Sequence, residues 1–229
     1  MENERETFYK TLDKNDAGID VKTSKKFTIG GGSYGIASLV ELEAKQHRFQ
    51  FVIKKYSNPG DAEDALKNYL TAKAAGLKVF RTFRISEDRQ KVIVTTGHTK
   101  NWVCIGSNNT GVGGSLGSLA LPKLNSIKDF DKFLKDYFEQ AKIATKKNIR
   151  ILGDSPFFLV ERGSTDNVRM DFVLGDLDNV LANHPTFLER NVEFLMHTLI
   201  FFAKENIKDP EIYLIQIRKA ASDTLDLST

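Results

Sequence analysis

Phe27-Thr28-Ile29-Gly30-Gly31-Gly32-Ser33-Tyr34-Gly35-Ile36-Ala37 is the stretch on which the fold turns. Its first residues favour extended chain, and Ile36 to Leu42 is β-rich again, so the glycines lie between two strands. Gly30, Gly32 and Gly35 fit the pattern G-x-G-x-x-G. In a dinucleotide-binding unit that pattern opens a helix, whose N-terminus receives a pyrophosphate. No helical periodicity follows here. The cluster therefore reads as a glycine-rich hairpin, either a plain turn or a lid whose bare N–H groups can approach phosphate oxygens.

Outward from the cluster, Val52-Ile53-Lys54-Lys55 lies on the next strand, with Lys54 nineteen residues beyond Gly35. Neighbouring strand residues face opposite sides, so one lysine at most points under the hairpin. Register favours Lys54, which could neutralise phosphate charge there; a solvated surface lysine is the plain alternative. Asn58 and Pro59 can start a helix running to about Ala75, with Ala62, Ala65, Leu66, Tyr69 and Leu70 at three- and four-residue steps and Gly76 as its stop. Val79 to Ile85 and Val92 to Thr96 read as further strands, giving about five strands and one helix before residue 98.

Residues 106–118 are rich in Gly, Ser and Asn and read as a loop. The pattern then becomes mainly helical. Ser126 can cap a helix whose stripe is Ile127, Phe130, Phe133, Leu134, Tyr137, Phe138, Ala141 and Ala144. Ile149 to Val160 and Met170 to Leu174 read as short strands. Thr186 and Glu189 form a capping box before a helix over Phe187 to Ala203, and a last helix spans Asp209 to Ala221. The expected organisation is a polar leader over 1–20, a β-rich N-terminal lobe over 21–100, a hinge and glycine-rich loop over 101–118, and a mainly helical C-terminal lobe over 119–229.

The bulk properties narrow the classes. With 33 Lys+Arg against 30 Asp+Glu, a net charge of +3 is too small to argue for nucleic acid. A single cysteine, Cys104, excludes an internal disulfide and a Cys-rich zinc site. No stretch approaches a membrane span, and the polar start resembles no secretory signal, so the expected location is the cytoplasm or export by a signal-less route.

The order of these parts resembles the protein-kinase-like superfamily, including its aminoglycoside phosphotransferase-like branch. Gly30-Gly31-Gly32-Ser33-Tyr34-Gly35-Ile36-Ala37 looks like the lid over the nucleotide phosphates, and Val52-Ile53-Lys54 like the lysine strand. The resemblance makes Glu63 or Asp64, on the following helix, the acidic partner of Lys54. Ile151-Leu152-Gly153-Asp154 looks like the catalytic-loop segment whose Asp contacts the acceptor hydroxyl. Val173-Leu174-Gly175-Asp176-Leu177-Asp178 looks like the strand ending in the metal-binding Asp, with Asp178 as a second metal ligand. It implies an α+β, two-lobed fold, with ATP and Mg2+ as cofactors and an unspecified hydroxyl acceptor, in a protein or a small molecule.

The departures are specific. Leu152-Gly153 stands where the family has His-Arg or His-Gly, and Leu159 where it has a metal-binding Asn. Asn179 is a further oxygen donor near the metal segment. After Val180 there is little room for an activation segment. Three alternatives stay open: a nucleotide- or partner-binding pseudokinase, nucleotidyl transfer on the same fold, and an interaction module whose glycine loop is only a turn.

Overall fold

In the computed structural model, which describes residues 25–32, 35–44, 47–81, 83–86, 89–95, 102–106 and 122–226, the glycine cluster ends one strand and starts the next. Strands β1 (Lys25–Gly32) and β2 (Gly35–Ala44) pair antiparallel and close with Gly32 opposite Gly35. A connection of two residues is the tight hairpin that the sequence pattern predicts. β2 turns in the same way into β3 (His47–Tyr56), and with β4 (Phe83–Ile85) and β5 (Lys91–Thr95) they form one antiparallel sheet of order β1-β2-β3-β5-β4.

Helix α1 (Pro59–Ala74) packs on this sheet. Strand alternation puts Val52, Lys54 and Tyr56 on one face, and Val52 and Lys54 lie opposite Val94 and Val92. Against that face α1 turns Ala62, Ala65, Tyr69 and Ala72, all buried. Asn58 holds the N-cap position in extended conformation without capping through its side chain; its amide donates to Asp61 Oδ2 at 3.2 Å instead. The strand expected over Val79 to Ile85 is shorter, beginning at Phe83. Residues 78–80 join the second half of the chain instead: the Lys78 carbonyl accepts from Leu174 N, Val79 bridges Leu174, and Phe80 is buried against Phe157.

That half contains a three-stranded sheet, β6 (Trp102–Gly106), β8 (Pro156–Glu161) and β9 (Met170–Leu174), in the order β6-β8-β9. The start of the expected hinge is thus a strand. A separate two-residue strand, β7 (Arg150–Ile151), pairs with β10 (Val180–Leu181). Helices α2 (Phe130–Lys146), α3 (Leu188–Asn206) and α4 (Glu211–Asp226) complete the described residues. The buried face of α2 follows the predicted stripe, and α3 and α4 lie within a few residues of the expected spans; the expected caps of α2 and α3 do not form. Ser126 accepts from Asn167 N at 2.8 Å rather than capping α2, which begins after Asp129. No side chain caps α3. An aromatic cluster fills the centre: Tyr137 meets Phe172 edge to face at 5.0 Å, and Phe158 lies 4.4 Å from Phe202.

The described residues are therefore α+β, with antiparallel sheets and four α-helices. Among them no helix is long and apolar enough to cross a membrane. The leader over 1–20, residues 107–118 of the glycine-rich loop and the first residues of the expected C-terminal lobe, 119–121, lie outside the described residues.

Candidate active site

Lys54 stands in a row across three strands, opposite Ala37, which itself lies opposite Gly30. The row brings the lysine beside the glycine hairpin. Lys54 faces the buried side of the sheet, and Lys55, on the other side, is exposed. The register also explains Gly35: a β-carbon there would lie 2.0 Å from the Lys55 carbonyl oxygen.

The ammonium of Lys54 reaches the other half of the chain. It donates to Asp176 Oδ1 at 3.1 Å and to Asp178 Oδ2. Tyr56, two residues on and so on the same strand face, donates its hydroxyl to Asp178 Oδ1 at 2.9 Å. The side chains of Lys54, Asp176 and Asp178 are only 22%, 29% and 9% exposed, so water screens their charges weakly. Burial pulls the Lys54 pKa down, but the charges of Asp176 and Asp178 outweigh it and hold the amine above its usual range. Burial raises the Asp178 carboxyl, and Lys54 offsets that only in part. Burial, and then the Asp178 charge, push the Tyr56 phenol far above its ordinary value, so it stays a neutral donor. One ammonium against two carboxylates leaves the cluster with an excess of negative charge.

The segment carrying the two carboxylates is pinned to the turn that carries Asp154. Gly175 N and Asp176 N both donate to the Ser155 carbonyl, at 2.8 and 3.2 Å. In return Leu152 N and Ser155 Oγ donate to the Asn179 carbonyl, at 2.8 and 2.7 Å. Ser155 is fully buried between them, and Asn179 Nδ2 donates to Asp176 Oδ2 at 3.2 Å. Asp154 itself is exposed at the tip of that turn, between β7 and β8. Three of the four hydrogen bonds run backbone to backbone and the fourth comes from the short, buried Ser155 side chain, so the turn of Asp154 is tied to the segment of Asp176 without any long flexible side chain.

The structure thus brings Lys54, Asp176 and Asp178 together and puts Asp154 on an adjoining turn. Gly30, Gly31, Gly32 and Gly35 form the hairpin; Ser33 and Tyr34, at its tip, lie outside the described residues. Glu63 is not at Lys54: it is exposed on α1 and pairs with Arg89 at 2.7 Å. Asp64 is exposed on the same helix. Leu159 lies within strand β8, so no side-chain oxygen enters the site from that position. Three residues that the sequence reading passed over prove structural to the site: Tyr56, Ser155 and Asn68, whose amide on α1 donates to the Leu177 carbonyl at 3.0 Å. Tyr56 was legible from strand alternation, and Asn68 as a polar residue at apolar spacing, three after Ala65 and four before Ala72.

As for a metal, no cluster of three or more His, Cys, Asp or Glu suited to an ion occurs among the described residues. Asp176 and Asp178 offer two carboxylates, a set that Mg2+ uses when phosphate oxygens and water complete its shell.

No protein-family model matches the chain, and no curated protein matches it in sequence. Among solved structures it is similar to the Helicobacter pylori proinflammatory kinase CtkA, at 11% identity and a TM-score of 0.43, over 87% of this chain and 94% of that one. It is also similar to the PknI kinase domain of Mycobacterium tuberculosis, at 10% identity and a TM-score of 0.41, over 82% of this chain and 77% of that one.

Proposed function

We propose that this site transfers the γ-phosphoryl group of ATP to an acceptor hydroxyl, with Mg2+. The observation that carries the reading is Lys54, beside the glycine hairpin, held between Asp176 and Asp178. In this reading residues 21–100 form the nucleotide lobe and 119–229 the second lobe, with the site between them. Lys54 keeps its proton and exchanges its carboxylate contacts for α/β-phosphate oxygens. Backbone N–H groups of Gly30 to Gly35 cover the phosphates. Asp176 and Asp178 hold Mg2+, whose chemistry there is neutralisation of phosphate charge. Asp154 orients the acceptor hydroxyl and takes its proton. The gain in rate comes from positioning and charge neutralisation rather than covalent chemistry.

Nucleotide binding without turnover is the second reading. The observation favouring it is Leu159, on a strand where the phosphotransfer pattern calls for an Asn oxygen. One experiment separates the two. Melting is followed with ATP, with and without Mg2+, in wild type, Lys54→Ala, Asp176→Ala and Asp154→Ala, alongside assay of nucleotide turnover. A ligand at about 100 times its Kd adds roughly 2.7 kcal/mol to stability. The expected result is a Mg2+-dependent shift that Lys54→Ala and Asp176→Ala lose and Asp154→Ala keeps, with turnover absent in all three variants. A wild type that shifts but never turns over selects the second reading. A folded wild type with no shift removes both.

A further inference from the structure

Helix α1 puts no carboxylate on Lys54, yet it grips the segment that does. Asn68 Nδ2 donates to the Leu177 carbonyl at 3.0 Å, and Asn68 Oδ1 accepts from Ala182 N at 3.3 Å. The two ends of one amide thus hold the backbone on both sides of Asp178. Leu177 and Val180, between those points, are 2% and 0% exposed, so the gripped segment is packed as well as hydrogen-bonded. Asp178 in turn takes Lys54 on one oxygen and Tyr56 on the other.

We propose that Asn68 is the positioning residue for Lys54: it holds the Asp176–Asp178 segment against the lysine, so that α1 orients Lys54 through that segment rather than by a carboxylate of its own. A side-chain amide suits the place. The Leu177 carbonyl needs a donor and Ala182 N needs an acceptor, and Asn offers one of each at this length. Ala at this position would leave Ala182 N without its acceptor and the Leu177 carbonyl with Val180 N alone, and Asp would set a carboxylate against that carbonyl oxygen. A further consequence is that a displacement of α1 moves the lysine's partners and the proposed metal ligands together.

The consequence for phosphoryl transfer rests on the function proposed above; the positioning role does not, and its test is free of nucleotide. The acylation rate of Lys54 by an amine-reactive ester is measured by mass spectrometry in wild type, Asn68→Ala and Asn68→Asp, with exposed Lys135 as the internal reference. Asn68→Asp, which keeps the shape and the acceptor, serves if the alanine variant does not fold. Loss of two ordinary hydrogen bonds shifts a local equilibrium by about tenfold. The expected result is a Lys54 rate raised several-fold to about that factor, with Lys135 unchanged. A Lys54 rate equal to wild type in either folded variant overturns the proposal. A rise shared equally by Lys135 overturns it too, since that marks general loosening. The same variants are then titrated with ATP with and without Mg2+, and the ratio of the two affinities is expected to shrink. Faster Lys54 acylation in a protein that binds no nucleotide would sink the phosphotransfer reading while leaving the role of Asn68 standing.

Discussion

A β-carbon on Gly175 would sit 2.3 Å from Phe157 Cδ2 and 2.4 Å from Phe80 Cε2. The two rings, 6.0 Å apart, close over a backbone that has no room for a side chain. The next residue is Asp176, with its N–H on the Ser155 carbonyl, so any shift at Gly175 is passed on to the candidate site. Gly175→Ala is therefore expected to cost about 1–3 kcal/mol, the usual range for overpacking. Urea unfolding measures that cost. If the proposed function holds, weakened Mg2+-ATP binding in the same variant would show that the strain reaches Asp176, and normal binding that the rings absorb it. The sequence marks Gly175 only as the residue before a candidate Asp. Nothing in a linear pattern brings Phe80 to it, because that contact forms when the two halves pack. The partner of Lys54 escaped for a like reason. The resemblance names Glu63 or Asp64 because they are acids on the right helix, but the face that meets Lys54 is set by how α1 sits on the sheet.

At the scale of elements, apolar periodicity located the strands and helices well because burial is what each pattern records. The α2 stripe faces the core as read, and so do Ala62, Ala65 and Tyr69 of the α1 stripe, but Leu70 at its edge is 56% exposed. Helix starts were less legible. Ser126 and Thr186 are sound N-cap types, but a cap depends on where the preceding chain enters, and here that is set by tertiary contacts such as Asn167 N on Ser126 Oγ. The end of α2 carries a clearer signal. Asn148 takes φ 54°, in the left-handed region, and Ile149 N donates back to the Ala144 carbonyl at 2.8 Å. That reversal feeds β7 and the turn bearing Asp154. Asn tolerates this conformation and Gly adopts it freely, whereas a β-branched residue does not. Asn148→Gly is expected to be neutral or to stabilise by up to about 1 kcal/mol, and Asn148→Val to destabilise by about 1–2 kcal/mol. Thermal melting of the two variants checks both signs. If Val is tolerated as well as Gly, the chain reverses at this point by another route.

For the whole molecule, the question is whether the two sheets unfold together. Their junction is short but varied. Leu174 N donates to the Lys78 carbonyl at 2.7 Å, Lys78 N to Gln140 Oε1 at 2.7 Å, and Lys78 Nζ pairs with Asp171. Phe80 adds an apolar contact, 7% exposed and set against Phe157. Lys54 with its two carboxylates adds a further polar contact across the same junction. The single tryptophan, Trp102, lies on β6 in the second sheet, so its fluorescence reports that half, while far-UV circular dichroism reports all strands and helices. Wild type is expected to give coincident unfolding curves by the two probes, as one cooperative unit does. Phe80→Ala removes a buried ring at a cost of about 3–5 kcal/mol. Because that ring belongs to the junction rather than to either sheet, the loss should fall on cooperativity as well as on stability. The dichroism curve is then expected to broaden and begin at lower urea than the tryptophan curve, with the first sheet and α1 leaving before β6, β8 and β9. Curves that shift together without separating would mean that the Lys78 backbone contacts and the Lys54 cluster suffice to couple the sheets.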